Sequence, residues 1–262
     1  FMKLSLGKNA FLRGGAILFA GNMIGSVCNY LFQFYMKRHM TDADYGGMVS
    51  LLSLLTISGV PALSITLVAA KFVSTFKAKE ELYKIKPFFR RLAYPIGFFG
   101  AILTAILLLG SGYIASFLKI PSTLPVFFTI FTLYISFLLP VIMGILQGLQ
   151  WFLPLGLLGA LGGIGKLLFC AILVHLGFAL NGAMGGLFVS SLAVLCFCAW
   201  FLRDLPPSDQ LVTDLGIGVR KVVGFTVPVV FSTLGLMALT NIDMVLVKHY
   251  FDPDRAGQYA QI

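Results

Sequence analysis

The feature that most constrains this chain is the near absence of charge from a long central region. Residues 120–165 contain no Asp, Glu, Lys or Arg, and residues 167–202 contain none either. Across the chain 58% of the residues are hydrophobic and 11% are charged, whereas a soluble domain has roughly 25% charged residues. Because a helix of about 20 apolar residues crosses a bilayer, the pattern predicts an all-α, polytopic membrane protein.

About seven transmembrane helices are predicted from the alternation of apolar stretches with turns and charged segments. Their predicted ranges are 11–36, 45–70, 92–118, 124–146, 151–176, a sixth that ends near residue 202, and 222–247. A polar segment that begins with Pro206 and Pro207 follows the sixth helix, since proline stops a helix.

The end of the first predicted helix resembles a stretch near the end of the chain. Residues 30–47 (YLFQFYMKRHMTDADYGG) and residues 241–262 (NIDMVLVKHYFDPDRAGQYAQI) share an order of features: a helix end, a basic pair, an acidic turn and a glycine. Five helices separate the two copies, so both run in the same direction, as in a parallel repeat. The predicted domains are a six-helix lobe at 1–205, a cytoplasmic linker at 206–221, and the first helix of a second lobe at 222–262.

The net charge of +9 predicts orientation rather than nucleic-acid binding. Most Lys and Arg side chains fall in segments that would share one side of the membrane, above all residues 71–91. Because such segments remain cytoplasmic, we expect a multi-pass protein of the cytoplasmic membrane with a cytoplasmic N-terminus.

Lys166 is the one Lys or Arg inside the central apolar region. It lies about fifteen residues into the fifth predicted helix, roughly 22 Å along its axis. A charged side chain at that depth costs about 3 kcal/mol and is expected to face a cavity or a partner. One interpretation is an electropositive site for an anionic substrate. The other is a lysine that pairs with a structural carboxylate or extends towards the interface.

A row of polar side chains follows the first predicted helix. With spacings of four, three and four, these residues lie on one helix face: Asn22, Ser26, Asn29 and Gln33. The row predicts either the wall of a cavity for a hydroxyl-rich substrate or a set of interhelical hydrogen bonds, each worth about 0.6 kcal/mol.

Three glycine pairs with G-x-x-x-G spacing allow close contact between membrane helices, and we expect them to serve packing. The pairs are Gly21 and Gly25, Gly159 and Gly163, and Gly182 and Gly186.

Asp243 is the only acidic residue in the interior of a predicted helix. It predicts a cation or proton site, a partner for a lysine, or a carboxylate hydrated at the interface. No nucleophile–base pair, paired carboxylates or metal-ligand spacing is present, so we expect neither an enzyme nor a metal or other cofactor.

Several stretches in order resemble one family, the oligosaccharide flippases or polysaccharide biosynthesis proteins of the multidrug/oligosaccharidyl-lipid/polysaccharide exporter superfamily. These stretches are KRHMTDADYGGMVSLLSLL, VPALSITLVAAKFV, ILQGLQWF, GKLLFCAILVHLGFALNGAMGGL and NIDMVLVKHYFDPDRAGQYA. The resemblance covers nearly the whole chain. Trp151 stands where the family often has a basic residue, which puts a phosphate contact at that position in doubt.

The resemblance implies two six-helix lobes around a cationic cavity, and transport of lipid-linked oligosaccharide on polyprenyl pyrophosphate. It places Lys166 on the pyrophosphate, with help from Arg13 or Lys71 at the inner mouth, and the polar row of the first helix on the sugars. Membrane lipids, and glycosyltransferases or polymerases, are the expected partners. The alternatives are a cation-coupled multidrug antiporter of the same superfamily, a flippase for peptidoglycan precursor (lipid II), and a membrane scaffold without transport.

Overall fold

The computed structural model of the chain describes residues 8–57, 59–118 and 120–205, together with Gly224, Pro228, Phe231, Ser232 and Gly235. Within the three continuous ranges all regular structure is helical. The α-helices are α1 Lys8–His39, α2 Asp42–Ile57, α3 Gly59–Ala78, α4 Ile85–Leu109, α5 Ser111–Phe117, α6 Leu124–Leu149, α7 Phe152–Leu173 and α8 Ala179–Phe201.

Contacts between helices show which of them run in the same direction. The Thr66 hydroxyl on α3 donates to the carbonyl of Pro140 on α6 at 3.2 Å, and Lys77 reaches Leu149 further along both helices. The helices α3 and α6 are therefore parallel, as the second and fourth spans of an alternating bundle must be.

The same reasoning applies to α7 and α8. The Ser190 hydroxyl donates to the carbonyl of Gly162 at 3.4 Å, and the Cys170 thiol donates to the carbonyl of Ala183 at 3.2 Å. The residue numbers at these two contacts rise along α7 while they fall along α8, so α7 and α8 are antiparallel. The helices α1 to α8 correspond to the first six predicted spans when α2 with α3, and α4 with α5, each count as one span.

Four helical stretches in the described residues are long and apolar enough to cross a membrane: Leu12–His39, Leu82–Leu109, Leu124–Leu149 and Phe152–Phe201, the last of which contains both α7 and α8. The predicted fold class, a polytopic helical membrane protein, is confirmed. The chain divides into two compact units, Phe1–Gly216 and Ile217–Ile262. The predicted linker, the seventh helix and the second copy of the repeat lie outside the continuously described residues.

The helices differ from the predicted spans mainly at their ends. The second span, predicted for 45–70, continues to Ala78, and the third begins at Ile85 rather than near residue 92. Lys71 therefore lies within α3 instead of in a connecting segment. We call the end of the bundle at which α3 ends and α4 begins the basic end.

The corner between α1 and α2 follows from its sequence, because Thr41 caps α2. The amide of Asp44 donates to the Thr41 hydroxyl oxygen at 3.2 Å, and that hydroxyl donates to the Asp44 carboxylate at 2.8 Å. The first of these bonds satisfies a backbone amide that the first helical turn leaves without a partner. His39 closes α1 by donating from Nδ1 to the carbonyl of Tyr35 at 3.0 Å, and stacks on its ring.

Two apolar clusters hold the helices together. The cluster on the side of the α1–α2 corner joins α1, α2, α6, α7 and α8 and includes Phe32, Met36, Met48, Ile130 and Met184. The cluster at the basic end joins α6, α7 and α8 and consists of Ile142, Leu146, Leu158, Val194 and Cys198.

Lys77 of α3 caps the C-terminal end of α6. Its ammonium donates to the carbonyl of Leu149 at 2.7 Å and to the side-chain oxygen of Gln150 at 3.0 Å, and Gln150 has the left-handed conformation, with φ of 60°, that ends the helix. A cation beside the last carbonyls of a helix contributes about 0.3 to 1 kcal/mol.

Lys77→Met should lower the thermal midpoint of the purified protein by about 2 to 4 °C, the shift expected for about 1 kcal/mol in a chain of this size. The measurement is a thermal melt in detergent. The control is Lys79→Met, an exposed lysine in the next turn of chain, for which we expect little change. Equal midpoints for the two variants would contradict the proposed role of Lys77.

Candidate functional site

The candidate site depends on the contact between α1 and α7, which is formed by glycines on both helices. A Cβ added at Gly25 would lie 2.5 Å from the carbonyl oxygen of Gly159, and one added at Gly163 would lie 2.6 Å from the Cα of Gly25. The two backbones therefore touch. The expectation that these glycines serve packing is confirmed, and the third pair behaves alike, with Gly182 and Gly186 against the backbone of α7.

This close contact brings Lys166 of α7 onto the polar row of α1. The Lys166 ammonium donates to the side-chain oxygen of Asn29 at 2.9 Å and lies 4.1 Å from the centre of the Phe32 ring. Phe32 is buried, whereas Lys166 is half-buried and Asn29 is exposed. The ammonium is thus held by two side chains of α1 in a partly buried position.

Lys166 has no carboxylate partner in the part of the chain that the structure describes. The ion pair found there joins Lys84 to Glu81 at 2.9 Å, in the connection between α3 and α4. An ammonium has three donors, and Asn29 takes one. The interpretation of Lys166 as half of a structural ion pair therefore finds no support in the described residues, and donors remain for an anionic oxygen.

The four polar side chains of α1 form one exposed row, which we call the polar row: Asn22, Ser26, Asn29 and Gln33. The row touches its neighbours at both ends. The Gln33 side-chain oxygen accepts a long bond from the Tyr45 hydroxyl at 3.4 Å, and the Asn22 oxygen lies against the backbone of Gly159. All four side chains remain exposed although Asn29 also accepts the bond from Lys166. Such a surface is unfavourable against lipid, so it faces water or other protein.

Three hydroxyl groups of α2 were not identified from the sequence as candidate site residues. Ser50, Ser53 and Thr56 donate to the carbonyls four residues earlier, at 2.9, 2.9 and 3.0 Å. Ser53 and Thr56 are exposed, and Ser50 is half-buried. Thr56 lies about three turns beyond Tyr45 on the same face of α2, so its hydroxyl group shares the face on which Tyr45 meets Gln33. The signal was the spacing in SLLSLLT, which places hydroxyl groups three residues apart.

Two further predicted residues lie elsewhere. Arg13 is exposed near the start of α1, about 24 Å along the axis from Asn29. Lys71 is exposed on α3, near the basic end. The structure therefore brings Lys166 together with Asn29, but it places Arg13 and Lys71 towards the basic end. Asp243 lies outside the described residues.

No group of three or more His, Cys, Asp or Glu side chains converges to hold a metal ion within the described ranges. The described site offers one ammonium, three amide side chains and the hydroxyl group of Ser26 on an exposed face of an apolar helix. Such a set can bind an anionic group beside a hydroxyl-rich one by hydrogen bonds.

The fold is similar to those of solved transporters. A transporter of the MOP superfamily from Pyrococcus furiosus, with a binding pocket of reversed polarity, is 17% identical with a TM-score of 0.68; the match covers 90% of this chain and 55% of that one. An outward-facing multidrug resistance MATE family transporter is 17% identical with a TM-score of 0.65, over 90% and 55% of the two chains. A MATE protein in complex with Br-NRF is 17% identical with a TM-score of 0.65, over 87% and 56%.

The chain thus spans about half the length of the solved structures that it matches. No curated protein matches the sequence significantly. Residues 11–262 match the sequence model of a protein family described as polysaccharide biosynthesis protein. Since this match covers nearly the whole chain, the chain belongs to the polysaccharide biosynthesis protein family.

Proposed function

We propose that the protein is a membrane transporter that moves lipid-linked oligosaccharide, carried on polyprenyl pyrophosphate, across the cytoplasmic membrane by alternating access. The observation that carries the proposal is the Lys166 ammonium, which is held by Asn29 at 2.9 Å on an open polar row. Membership of the polysaccharide biosynthesis family supports the substrate class.

The chemistry of the site agrees with the two parts of such a substrate. A pyrophosphate is an anion whose oxygens accept charge-assisted hydrogen bonds, which are roughly twice as strong as neutral ones. Sugars present hydroxyl groups, which amide side chains such as Asn22 and Gln33 can both donate to and accept from. In this proposal Lys166 binds the pyrophosphate, the polar row contacts the sugars, and the polyprenyl chain stays in the bilayer.

Arg13 and Lys71 have a different role in the proposal. Because both lie towards the basic end, they would attract the anionic head group before it reaches Lys166. This role requires the basic end to face the cytoplasm, where glycosyltransferases assemble such substrates. The proposed orientation therefore has a cytoplasmic N-terminus.

The competing function is a cation-coupled multidrug antiporter, which would be expected to hold a carboxylate inside the membrane. The acidic residues of the described ranges belong to helix ends or turns of the chain: Asp42, Asp44, Glu80, Glu81 and Asp204. This distribution, with Lys166 as the charge at the candidate site, favours the anionic substrate.

A reconstitution experiment tests the proposal. The whole protein in liposomes should move a fluorescent polyprenyl-pyrophosphate oligosaccharide between leaflets faster than protein-free liposomes, and should act poorly on the same glycan attached to an uncharged lipid. Transport of a cationic dye without movement of the glycan lipid would favour the antiporter. Preference for a lipid-linked muropeptide would identify a lipid II flippase, and inactivity on every substrate would favour the scaffold.

A further inference from the structure

A groove on the surface of the bundle lies between α4 and α6, and it shares no residue with the candidate transport site. Its volume is about 580 Å³, and its lining includes Arg90, Tyr94, Gly97, Phe98, Tyr134 and Leu138. Tyr94 is 72% exposed and Phe98 is 65% exposed, so the groove opens to the surroundings of the protein. In a membrane those surroundings are lipid.

Gly97 gives the groove its depth. A Cβ added at Gly97 would lie 3.7 Å from Leu138 Cδ2 and 3.9 Å from the Tyr134 hydroxyl, which is ordinary van der Waals contact. A larger side chain is therefore compatible with the backbone there, but it would occupy the channel between α4 and α6. The Tyr134 hydroxyl makes no hydrogen bond with any described residue, and is available to a molecule in the groove.

Arg90 supplies the charge at one end of the groove. It lies five residues after α4 begins at Ile85 and one turn before Tyr94, so it marks the rim at the basic end. Its exposed guanidinium has no hydrogen bond or ion pair within the described ranges. From Arg90 to Phe98 the groove follows α4 for about 12 Å, a length close to the hydrocarbon depth of one leaflet, which is about 15 Å.

From this arrangement we propose that the groove binds an anionic phospholipid of the leaflet at the basic end. The guanidinium of Arg90 binds the lipid phosphate, since Arg matches phosphate with two parallel hydrogen bonds. An acyl chain lies over Gly97 between the aromatic rings, and Tyr134 donates to an ester carbonyl. Basic pockets between transmembrane helices bind anionic head groups by this chemistry.

Charge decides between a lipid and a second protein helix as the occupant. A helix packed into the groove would cover Arg90 and remove it from water, which is costly unless that helix carries a matching carboxylate. An anionic lipid brings its own phosphate to the same place and leaves the rest of the guanidinium at the wet interface. The groove is therefore better matched to a lipid.

Native mass spectrometry of the whole protein in detergent tests the proposal by titration with phosphatidylglycerol or phosphatidylcholine of the same acyl chains. Phosphatidylglycerol should bind more tightly than phosphatidylcholine. Arg90→Gln should lower the affinity for phosphatidylglycerol by about fivefold, the factor expected for one basic residue near the membrane surface. Arg91→Gln is the matched control, since Arg91 is exposed on the same helix but does not line the groove. It should change the affinity by less than about twofold.

A second variant tests the groove itself. Gly97→Leu should lower the affinity for both lipids because the leucine side chain fills the groove, while the lipid-free protein retains its thermal midpoint. Equal effects of Arg90→Gln and Arg91→Gln, or equal affinity for the two lipids in the wild type, would overturn the proposal. So would a dimer, or a bound partner protein, that Gly97→Leu dissociates, because the groove would then be a helix-packing surface.

Discussion

Lys166→Met should slow the movement of polyprenyl-pyrophosphate oligosaccharide by about tenfold to a hundredfold while the protein stays folded in the membrane. A hydrogen bond to a charged group contributes about 1.5 to 3 kcal/mol, which corresponds to that range of rates. Methionine keeps an unbranched chain that packs against Phe32, 4.1 Å from the present ammonium. It also removes a charge that is costly inside the membrane, so insertion should not suffer.

The measurement is the initial rate of glycan-lipid movement in proteoliposomes, together with the thermal midpoint of each variant. Lys166→Arg retains a cation and should keep more activity than Lys166→Met. Arg13→Met provides a comparison within the proposed pathway, because it removes a charge from α1 far from Asn29. It should raise the substrate concentration for half-maximal rate more than it lowers the maximal rate. Glycan movement at the wild-type rate in Lys166→Met would exclude Lys166 from the mechanism.

The crossings of the bundle could be predicted from the sequence because a membrane helix satisfies its own backbone hydrogen bonds. Its existence depends on length and apolar character, and both can be counted. The ends of the helices could not be predicted as well. The helix α3 continues beyond the apolar region to Ala78 and α4 begins at Ile85, since polar residues extend a helix into water without any change in the apolar pattern.

The residues of the candidate site were predicted, but their arrangement was not. Spacing placed the polar row on one face of α1, and composition identified Lys166. That Lys166 bonds to Asn29 depends on α1 and α7 lying parallel and in backbone contact through Gly25 and Gly159. A glycine pair indicates close packing but does not name its partner. The hydroxyl groups of α2 were missed because serine and threonine in helices commonly bond to their own backbone.

Substitution of the α1 glycines should have a second large effect, on thermal stability and on transport. Two of these glycines, Gly25 and Gly15, have different surroundings. A Cβ at Gly25 would lie 2.5 Å from the carbonyl oxygen of Gly159, whereas nothing lies within 4 Å of a Cβ at Gly15. Both are helical, so Gly→Ala brings the same gain in helix propensity, up to about 1 kcal/mol. The two substitutions therefore differ in packing alone.

Gly25→Ala should have a thermal midpoint about 2 to 12 °C below that of Gly15→Ala, because a methyl group forced against backbone costs about 1 to 3 kcal/mol. Gly15→Ala should leave the wild-type midpoint unchanged or raise it slightly. The measurement is a pair of thermal melts in the same detergent.

Gly25→Ala should also reduce glycan movement in protein that remains folded below its midpoint. To admit the methyl group, α7 must move away from α1, and a shift of about 0.5 Å takes a 2.9 Å hydrogen bond beyond its favourable range. Lys166 would then lose the bond to Asn29 that orients it. Full glycan movement in the folded Gly25→Ala protein would show that this bond is dispensable, and equal midpoints for Gly25→Ala and Gly15→Ala would show that α1 and α7 do not touch at Gly25.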